Sequence, residues 1–258
     1  MPAKPTILAF HGSGSNATIH TVQLARLTRI LKPHFEIVSV EAPFPSAAGP
    51  GVLPFFEGCG PYKRWVPPTE KLTLEAMKTG AANPAMPSAV ETLLRSTVSA
   101  ATSSGSKVVG VIGFSQGTRV VAGLVKGKEI VEALGGDVGP EALWLKDLRF
   151  AVSMCGSYPP PLVPVAATEA LERSAALGEE AKKGVLEGKI AVPTLHVQGK
   201  QDEWEWAGKL LIDGVYEVGE GKSTVFEFDM GHHYPVQAED TERVAEWVLS
   251  TWKDSEEK

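Results

Sequence analysis

Residues 107–117 have the sequence KVVGVIGFSQG, in which a run rich in valine and isoleucine leads into a serine flanked by glycines. The run predicts a buried β-strand, and the pattern of residues 118–125 predicts a helix directly after it. Gly113 and Gly117 then flank Ser115 in a tight strand-to-helix turn, which holds the serine hydroxyl clear of the sheet. An ordinary turn with Ser115 as the helix cap would account for the serine but not for both glycines.

The alternation of apolar runs and amphipathic stretches continues on both sides of this turn. Short runs rich in β-branched residues predict strands at residues 6–10, 35–41, 107–113, 149–155, 192–198 and 224–228. Amphipathic stretches predict helices at residues 17–31, 86–103, 116–127, 204–212 and 237–252. This alternation favours an α/β fold with a doubly wound, mostly parallel sheet and helices on both faces, built as one domain over residues 1–258.

The composition excludes several classes of protein. A net charge of −6 offers no basic surface for a nucleic-acid backbone, and no run approaches the roughly 18 apolar residues that a membrane span needs. Cys59 and Cys155 lack metal-ligand spacing, which predicts free thiols and no metal site. The apolar run at residues 6–10 is too short for a signal-peptide core, so we expect a cytoplasmic protein. We also expect no cofactor, because nucleophilic catalysis by a serine needs none.

Two segments interrupt the alternation. Residues 42–68 are dense in proline, glycine and aromatic residues. Residues 157–189 open with a proline cluster and continue as a charged, alanine-rich stretch that predicts a helix over residues 168–187. Both segments are candidates for lids or pocket walls at the carboxyl edge of the sheet. An irregular surface loop and an ordinary crossover helix are the alternatives.

Two late histidines are candidates for a base that would activate Ser115. A serine hydroxyl becomes a nucleophile when a base takes its proton, and in α/β-hydrolases the order along the chain is serine, acid, histidine. His232 and His233 lie in the turn after the strand predicted at residues 224–228. His232, next to Gly231, is favoured as the base, with His233 as the alternative.

The acid is expected after the preceding strand, predicted at residues 192–198. Asp202 lies in the turn that follows this strand, where its carboxylate can bond the second imidazole nitrogen of the base. Asp213, past a helical stretch, and Asp229, close enough to His232 to favour a role in shaping the turn, are the alternatives. A turn aspartate that caps a helix is the other interpretation of Asp202.

The first predicted strand ends in a glycine-rich turn, HGSGSN, at residues 11–16. Glycines in such a turn let backbone N–H groups approach a ligand closely. In acyl-transfer hydrolases one oxyanion donor follows the nucleophile and a second lies in an early loop, which predicts the N–H groups of Gln116 and Ser13. A phosphate-binding loop is the alternative, but its Lys-Ser/Thr ending is missing. His11 precedes the nucleophile and is therefore interpreted as structural.

These residues together resemble the fungal family of serine hydrolases, which have the α/β-hydrolase fold, over residues 6 to about 250. The motifs that carry the resemblance are His11-Gly12-Ser13-Gly14, Ala42-Pro43-Phe44-Pro45, Gly49-Pro50-Gly51, Gly60-Pro61-Tyr62 with Trp65, the turn around Ser115, Pro193-Thr194-Leu195-His196-Val197, Asp202, and Gly231-His232 with Pro235. Within the family the sequence is most similar to thioesterase-type members found with fungal polyketide pathways, such as the releasing enzyme of lovastatin biosynthesis.

The resemblance implies a triad of Ser115, Asp202 and His232 that hydrolyses an acyl thioester or ester. Met230, where a second glycine is common, and the sequence EWEW at residues 203–206 depart from the family pattern and leave the substrate preference open. Three activities are compatible with these residues: release of a polyketide or similar acyl chain from a thioester, general carboxylesterase activity on small esters, and a non-hydrolytic cyclisation or carbon–carbon cleavage at the same site.

Aromatic residues are candidates for the wall of an acyl pocket, although packing within loops explains them equally well. The candidates are Phe44, Tyr62, Trp65 and Trp204. The expected partner is a small-molecule acyl ester or thioester. If an acyl-carrier domain of a polyketide synthase carries the substrate, docking of that acidic domain needs a local basic patch on this protein. The candidate patches are Lys63 with Arg64 and Lys182 with Lys183.

Overall fold

The computed structural model describes residues 3–70 and 73–257. Within these ranges no helix is long and apolar enough to cross a membrane. The elements, in chain order, are β1 (Thr6–Phe10), α1 (Ala17–Gln23), α2 (Ala25–Leu31), β2 (Glu36–Val40), β3 (Phe44–Ser46), β4 (Tyr62–Arg64), α3 (Leu74–Thr79), α4 (Ser88–Thr102), β5 (Val108–Phe114), α5 (Gly117–Ala133), α6 (Pro140–Leu143), a 3-10 helix (Trp144–Asp147), β6 (Phe150–Met154), α7 (Val165–Arg173), α8 (Glu179–Glu187), β7 (Thr194–Gly199), α9 (Glu205–Val215), β8 (Ser223–Phe228) and α10 (Ala238–Glu256).

Six strands form one parallel sheet in the order β2-β1-β5-β6-β7-β8. The order reverses between β1 and β5, because the chain first moves outward to β2 and then returns to the other side of β1. In open α/β sheets, ligands bind at the carboxyl ends of the strands beside such a reversal. The glycine-rich turn after β1 and the serine turn after β5 therefore lie where this topology favours a site.

Alternating side chains of β1 show that both faces of the sheet are covered. Ile7 and Ala9 pack in the core formed with α2 and α10, whereas Leu8 and Phe10 pack in the core formed with α4 and α5. All four side chains are fully buried. A strand covered on both faces needs a continuous apolar run instead of an alternating one, which explains the sequence pattern of the central strands.

The predicted α/β fold class is confirmed, and all six predicted strands occur within one or two residues of their expected bounds. Three helix predictions are wrong in detail. The helix expected at residues 116–127 continues to Ala133 in α5. The helix expected at residues 17–31 divides into α1 and α2 at Leu24, where ψ is −7° instead of the usual value near −42°. The helix expected at residues 168–187 divides into α7 and α8, and Gly178 takes an extended conformation directly before α8.

The segment at residues 42–68 contains a hairpin that the sequence pattern does not predict. Strands β3 and β4 pair antiparallel but have three residues each, too few to show a periodic pattern. The hairpin lies against the turn after β1: Lys63 N–H donates to Ser15 O at 2.7 Å, and Gly14 N–H donates to Lys63 O at 2.8 Å. These bonds attach the segment to the carboxyl edge of the sheet.

Candidate active site

Ser115 follows β5 directly and has a φ of +50°. Among the non-glycine residues in the described ranges, only Cys155 shares a positive φ. A side chain in this region costs about 1–3 kcal/mol, so the surrounding contacts must hold it there. Ser115 N–H donates to Met154 O at 3.0 Å, and Thr118 Oγ1 donates to Ser115 O at 2.6 Å. These bonds fix the turn that presents the serine hydroxyl.

The two glycines around Ser115 are required by close backbone approaches. A Cβ added to Gly113 would overlap the carbonyl of Gly117, and a Cβ added to Gly117 would overlap the carbonyl of Phe10. Strand β5, helix α5 and the end of β1 thus approach more closely than side chains would allow. The interpretation of Ser115 as a simple helix cap does not account for this packing.

Asp202 and His232 form a hydrogen-bonded pair, with Nδ1 of His232 at 2.7 Å from Oδ2 of Asp202. The other carboxylate oxygen accepts the N–H of Trp204 at 2.8 Å. Burial alone would raise the pKa of Asp202, but the hydrogen bond and charge of His232, followed by the Trp204 N–H, lower it. The ionised carboxylate keeps the proton on Nδ1, which leaves Nε2 free to accept a proton.

The alternative residues are occupied by other contacts. Nδ1 of His233 lies 2.8 Å from the carbonyl oxygen of Tyr234, and its Nε2 accepts the Gly231 N–H at 3.3 Å. Asp229 accepts a hydrogen bond from Gln201 Nε2 at 2.7 Å, and Asp213 lies exposed on α9. Of the candidate acids and bases, the structure brings Asp202 and His232 together.

The glycine-rich turn after β1 is fixed from below by His11 and Trp65. Nδ1 of His11 lies 2.7 Å from Gly12 O, and its Nε2 accepts the Ala42 N–H at 3.1 Å. Burial lowers the pKa of His11, so the ring is neutral and can accept this bond. Trp65 Nε1 donates to His11 O at 2.6 Å, and Trp65 N–H donates to the Gln116 side chain at 2.8 Å. Trp65 thus connects this turn to the serine turn, through its indole N–H on one side and its backbone N–H on the other.

Gly14 and Gly49 hold the turn against residues 42–52. Gly14 has a φ of +71°, its carbonyl accepts the Gly49 N–H at 3.0 Å, and a Cβ on either glycine would overlap the backbone of the other loop. The backbone N–H groups of Ser13 and Gln116 have no backbone acceptor in the described ranges. Both residues line the cavity at Ser115, so these donors are available to an anionic oxygen.

A cavity of about 170 Å³ contains Ser115 and His232. Both interrupting segments contribute to its wall, residues 42–68 through Val52 and residues 157–189 through Tyr158. Trp204 lines it as expected, and Met77 of α3 adds an apolar side chain that the sequence did not single out. Larger grooves of about 740 and 830 Å³ lie at the opposite edge of the sheet and contain none of the candidate residues.

The other three predicted pocket residues do not line this cavity. Trp65 is fully buried beneath the glycine-rich turn. Tyr62 donates its hydroxyl proton to Phe56 O at 2.9 Å, and Phe44 packs on the core shared with α4 and α5. Packing within loops, the alternative to a pocket wall, describes these three residues, because their rings contact backbone carbonyl oxygens or the core and none of them lines the cavity.

The two candidate basic patches are partly used by the fold. Arg64 donates to the carbonyl oxygens of Val66 and Pro67, and Lys182 donates to Glu172 O at 2.9 Å. Lys183 also lies 4.0 Å from a carboxylate oxygen of Glu187. The first pair therefore has one cation engaged within the chain, and the second pair has both.

One group in the described ranges has the spacing of a metal site. Side-chain atoms of Cys155, Asp202 and His232 lie within 4.8 Å of one another. A cation bound there would replace the hydrogen bond between Asp202 and His232. The group is better described as an acid–base pair with a thiol behind it, and the sequence pattern gave Cys155 no role beyond a free thiol.

A parallel sheet with a serine turn, an acid–histidine pair and two free N–H groups at its carboxyl edge defines an α/β-hydrolase. Solved structures share this fold. They include acyl-protein thioesterase 2 of Zea mays, with 20% identity and a TM-score of 0.54 over 97% of this chain and 95% of that one. Esterase PE8 has 18% identity and a TM-score of 0.51 over 97% and 94% of the two chains.

The family model described as Serine hydrolase (FSH1) matches residues 1–244, and the chain belongs to this family. Its relatives include "Thioesterase FSL2" of Gibberella zeae, 30% identical over 98% of this chain and 94% of the relative. An "Esterase" of Didymella fabae is 32% identical over 93% of this chain and 88% of the relative. The resemblance found in the sequence is confirmed, and the protein is a serine hydrolase.

Proposed function

We propose that the protein is a thioesterase in which Ser115, His232 and Asp202 release a polyketide or similar acyl chain. The observation that carries this proposal is the 2.7 Å hydrogen bond between His232 and the buried Asp202, beside a cavity that contains Ser115. The name of the Gibberella zeae relative supports thioester cleavage. The resemblance to thioesterase-type members of polyketide pathways supports the choice of acyl group.

In the first half of the reaction, Ser115 Oγ attacks the acyl carbonyl carbon while Nε2 of His232 takes the hydroxyl proton. Ser115 and His232 line the same cavity, and catalytic hydrogen bonds are often long in free enzymes and shorten when the substrate binds. The carbonyl oxygen becomes an oxyanion and accepts hydrogen bonds from the backbone N–H groups of Ser13 and Gln116. The carbon–sulfur bond then breaks, and the leaving thiolate takes the proton from His232.

In the second half, water attacks the acyl-enzyme and gives one proton to His232. The oxyanion forms again at the same N–H groups, the bond from the acyl carbon to Ser115 Oγ breaks, and the proton returns to Ser115. The products are a carboxylic acid and the free enzyme. Asp202 stays ionised throughout and stabilises the imidazolium that forms in each half.

A general carboxylesterase is the second candidate function, and the size of the cavity favours it. Pockets that enclose drug-sized ligands typically measure about 300–1,000 Å³, whereas the cavity at Ser115 measures about 170 Å³. A small ester fits this volume directly, and a long acyl chain requires the wall segments to open.

Matched substrates distinguish the two functions. Each acyl group, from acetyl to long β-keto chains, is offered both as a thioester and as an oxygen ester, and kcat/KM is divided by the rate of hydrolysis in buffer. A thioesterase favours the thioester of each pair and the longer chains. Preference for short oxygen esters would replace the proposal with the carboxylesterase. Release of thiol without an equal amount of acid would indicate a non-hydrolytic reaction.

The same assay tests the source of the thioester. An acyl group on an isolated carrier domain is compared with the same group on pantetheine. We expect a lower KM for the carrier-bound substrate, and an equal KM would remove the carrier domain from the proposal. Ser115→Ala is the inactive control for every substrate.

A further inference from the structure

Cys155 lies directly behind the acid–base pair. It follows β6, which lies in the sheet between the strand before Ser115 and the strand before Asp202. Its side chain is fully buried, with Sγ at 3.6 Å from His233 O and 3.9 Å from Gly231 O. The thiol therefore contacts the turn that carries His232 on one side and lies near the Asp202 carboxylate on the other.

The backbone of Cys155 is held in a costly conformation. Its φ of +47° matches that of Ser115, and its N–H donates to Val197 O at 2.8 Å, as the Ser115 N–H donates to Met154 O one strand away. Glycine would adopt this conformation without strain. Strain that the surroundings hold in place is concentrated at functional sites. The presence of a side chain at this position therefore indicates a role for the thiol itself.

We propose that Cys155 is a positioning residue, whose thiol supports Asp202 and the turn at residues 231–233 and thereby holds His232 at its working distance from the acid. This inference rests on the proposed function of the pair. A thiol has one weak donor proton, and the acceptors around it are the Asp202 carboxylate and the carbonyl oxygens of Gly231 and His233. Its bulk also fills the space behind the carboxylate, where water would otherwise weaken the hydrogen bond to His232.

The thiol acts as a donor and not as a second nucleophile. Burial, followed by the negative charge of Asp202, raises the pKa of Cys155 well above its usual range. A thiolate would add a second negative charge beside the carboxylate. Because reactive cysteines are exposed and have a low pKa, thiol reagents are expected to modify the exposed Cys59 and to leave Cys155 and the activity intact.

Three substitutions distinguish the effect of the thiol group from the effect of the strained backbone at residue 155. Cys155→Ser keeps a donor of similar size, Cys155→Ala removes the donor, and Cys155→Gly removes it while relieving the strain of the positive φ. We expect Cys155→Ser to retain kcat/KM within about threefold. We expect Cys155→Ala and Cys155→Gly to lose about tenfold or more, mainly in kcat, by analogy with metal sites, where loss of a hydrogen-bond partner of a ligating side chain costs about 10–100-fold. Cys59→Ala is the matched control and should change nothing.

The pH profile of kcat/KM provides a readout that a purely structural role would not move. Without the S–H donor, more of the carboxylate charge is available to stabilise the imidazolium, so the apparent pKa of the acidic limb should rise in Cys155→Ala and return in Cys155→Ser. The inference is overturned if Cys155→Ala keeps the wild-type profile and kcat, or if Cys155→Ser loses as much as Cys155→Ala.

Failure of the proposed function gives a different result. Labelling of the wild-type enzyme by a fluorophosphonate probe establishes whether Ser115 is activated at all. If the wild type is labelled and Cys155→Ala is labelled equally fast, the inference about Cys155 alone is wrong. If the wild type is not labelled at Ser115, the proposed function is wrong as well.

Discussion

Replacing Gly14 with alanine perturbs the turn that carries the Ser13 N–H without touching any side chain of the acid–base pair. Gly14 has a φ of +71°, and an added Cβ would overlap the backbone nitrogen of Gly49 and lie 2.7 Å from Ala47 O. Alanine in the left-handed region costs about 1–2 kcal/mol. The overlap then forces the turn and the loop at residues 47–49 apart by on the order of 1 Å, because neither backbone can yield alone.

This displacement should act on catalysis through Ser13. Oxyanion donors work at about 2.7–3.1 Å, so a shift on the order of 1 Å removes the Ser13 N–H from range. Loss of one such donor typically costs about 10²–10³ in kcat, or about 2.7–4 kcal/mol. We therefore expect Gly14→Ala to lower kcat by at least about a hundredfold on an activated p-nitrophenyl ester, with a smaller change in KM.

Gly58→Ala is the matched control. Gly58 lies in the segment at residues 42–68, which packs on the turn that contains Gly14. It has a φ of +76°, and no atom lies within 4 Å of its added Cβ. It carries the same backbone cost without the overlap, so its thermal midpoint should fall while its kcat stays at the wild-type value. If Gly14→Ala is folded and keeps kcat within about threefold of Gly58→Ala, the assignment of Ser13 as an oxyanion donor is refuted.

Three further predictions concern other parts of the molecule. Burial lowers the pKa of His20 and His196 to about 3 each, whereas both imidazoles titrate near 6.5 in the unfolded chain. Their contribution to the free energy of unfolding is therefore fully present above pH 6.5 and is lost as the pH falls toward 3, because the unfolded chain then binds protons that the buried imidazoles do not. At pH 5 each histidine lowers the free energy of unfolding by roughly 2 kcal/mol. Urea titrations at pH 7.5 and 5 should therefore show a loss of stability that His196→Leu reduces by about half. An unchanged loss in His196→Leu would contradict the lowered pKa of His196. Arg119 is fully buried, donates to Pro160 O at 2.8 Å and lies 3.6 Å from Glu70. Arg119→Met should destabilise the protein by about 3–5 kcal/mol. A urea midpoint equal to that of the wild type would show that the ion pair of Arg119 with Glu70 contributes nothing to stability. His232→Asn should lower kcat by a factor of at least about 10³, whereas His233→Asn should keep kcat within tenfold of the wild type. The opposite result would make His233 the base.

The sheet and the acid–base pair could be predicted because both follow from where strands end. Central parallel strands are covered on both faces and show as continuous apolar runs, as β5 does. Their carboxyl ends meet at one edge, so polar residues just after successive strands come together. Ser115, Asp202 and His232 each follow a strand in this way, and their order along the chain is the basis of the roles proposed for them.

The contacts that hold the loops of the site in place could not be predicted, because each is a single contact between residues far apart in sequence. Gly14 meets Gly49 through backbone atoms, and Trp65 reaches His11 through one indole proton. Neither contact produces a periodic pattern. Cys155 follows a strand at the same edge as Ser115, and this placement was the one signal in the sequence that could have identified it.

The division of the first predicted helix at Leu24 has a related origin. No glycine or proline lies between residues 17 and 31 to indicate a break, and the sequence remains amphipathic across it. Packing therefore decides the break: Leu24 is buried in the same core as Leu27 and Leu31, and α1 and α2 meet at this residue. Local propensity does not contain that information.

Labelling with a fluorophosphonate, followed by peptide mass spectrometry, tests the central claim most directly. The wild-type enzyme should carry one adduct, on the peptide that contains Ser115, and His232→Asn should form it far more slowly. Ser115→Ala should carry none. An adduct on a different serine, or labelling of Ser115→Ala at the wild-type rate, would contradict the assignment of Ser115 as the nucleophile activated by His232 and Asp202.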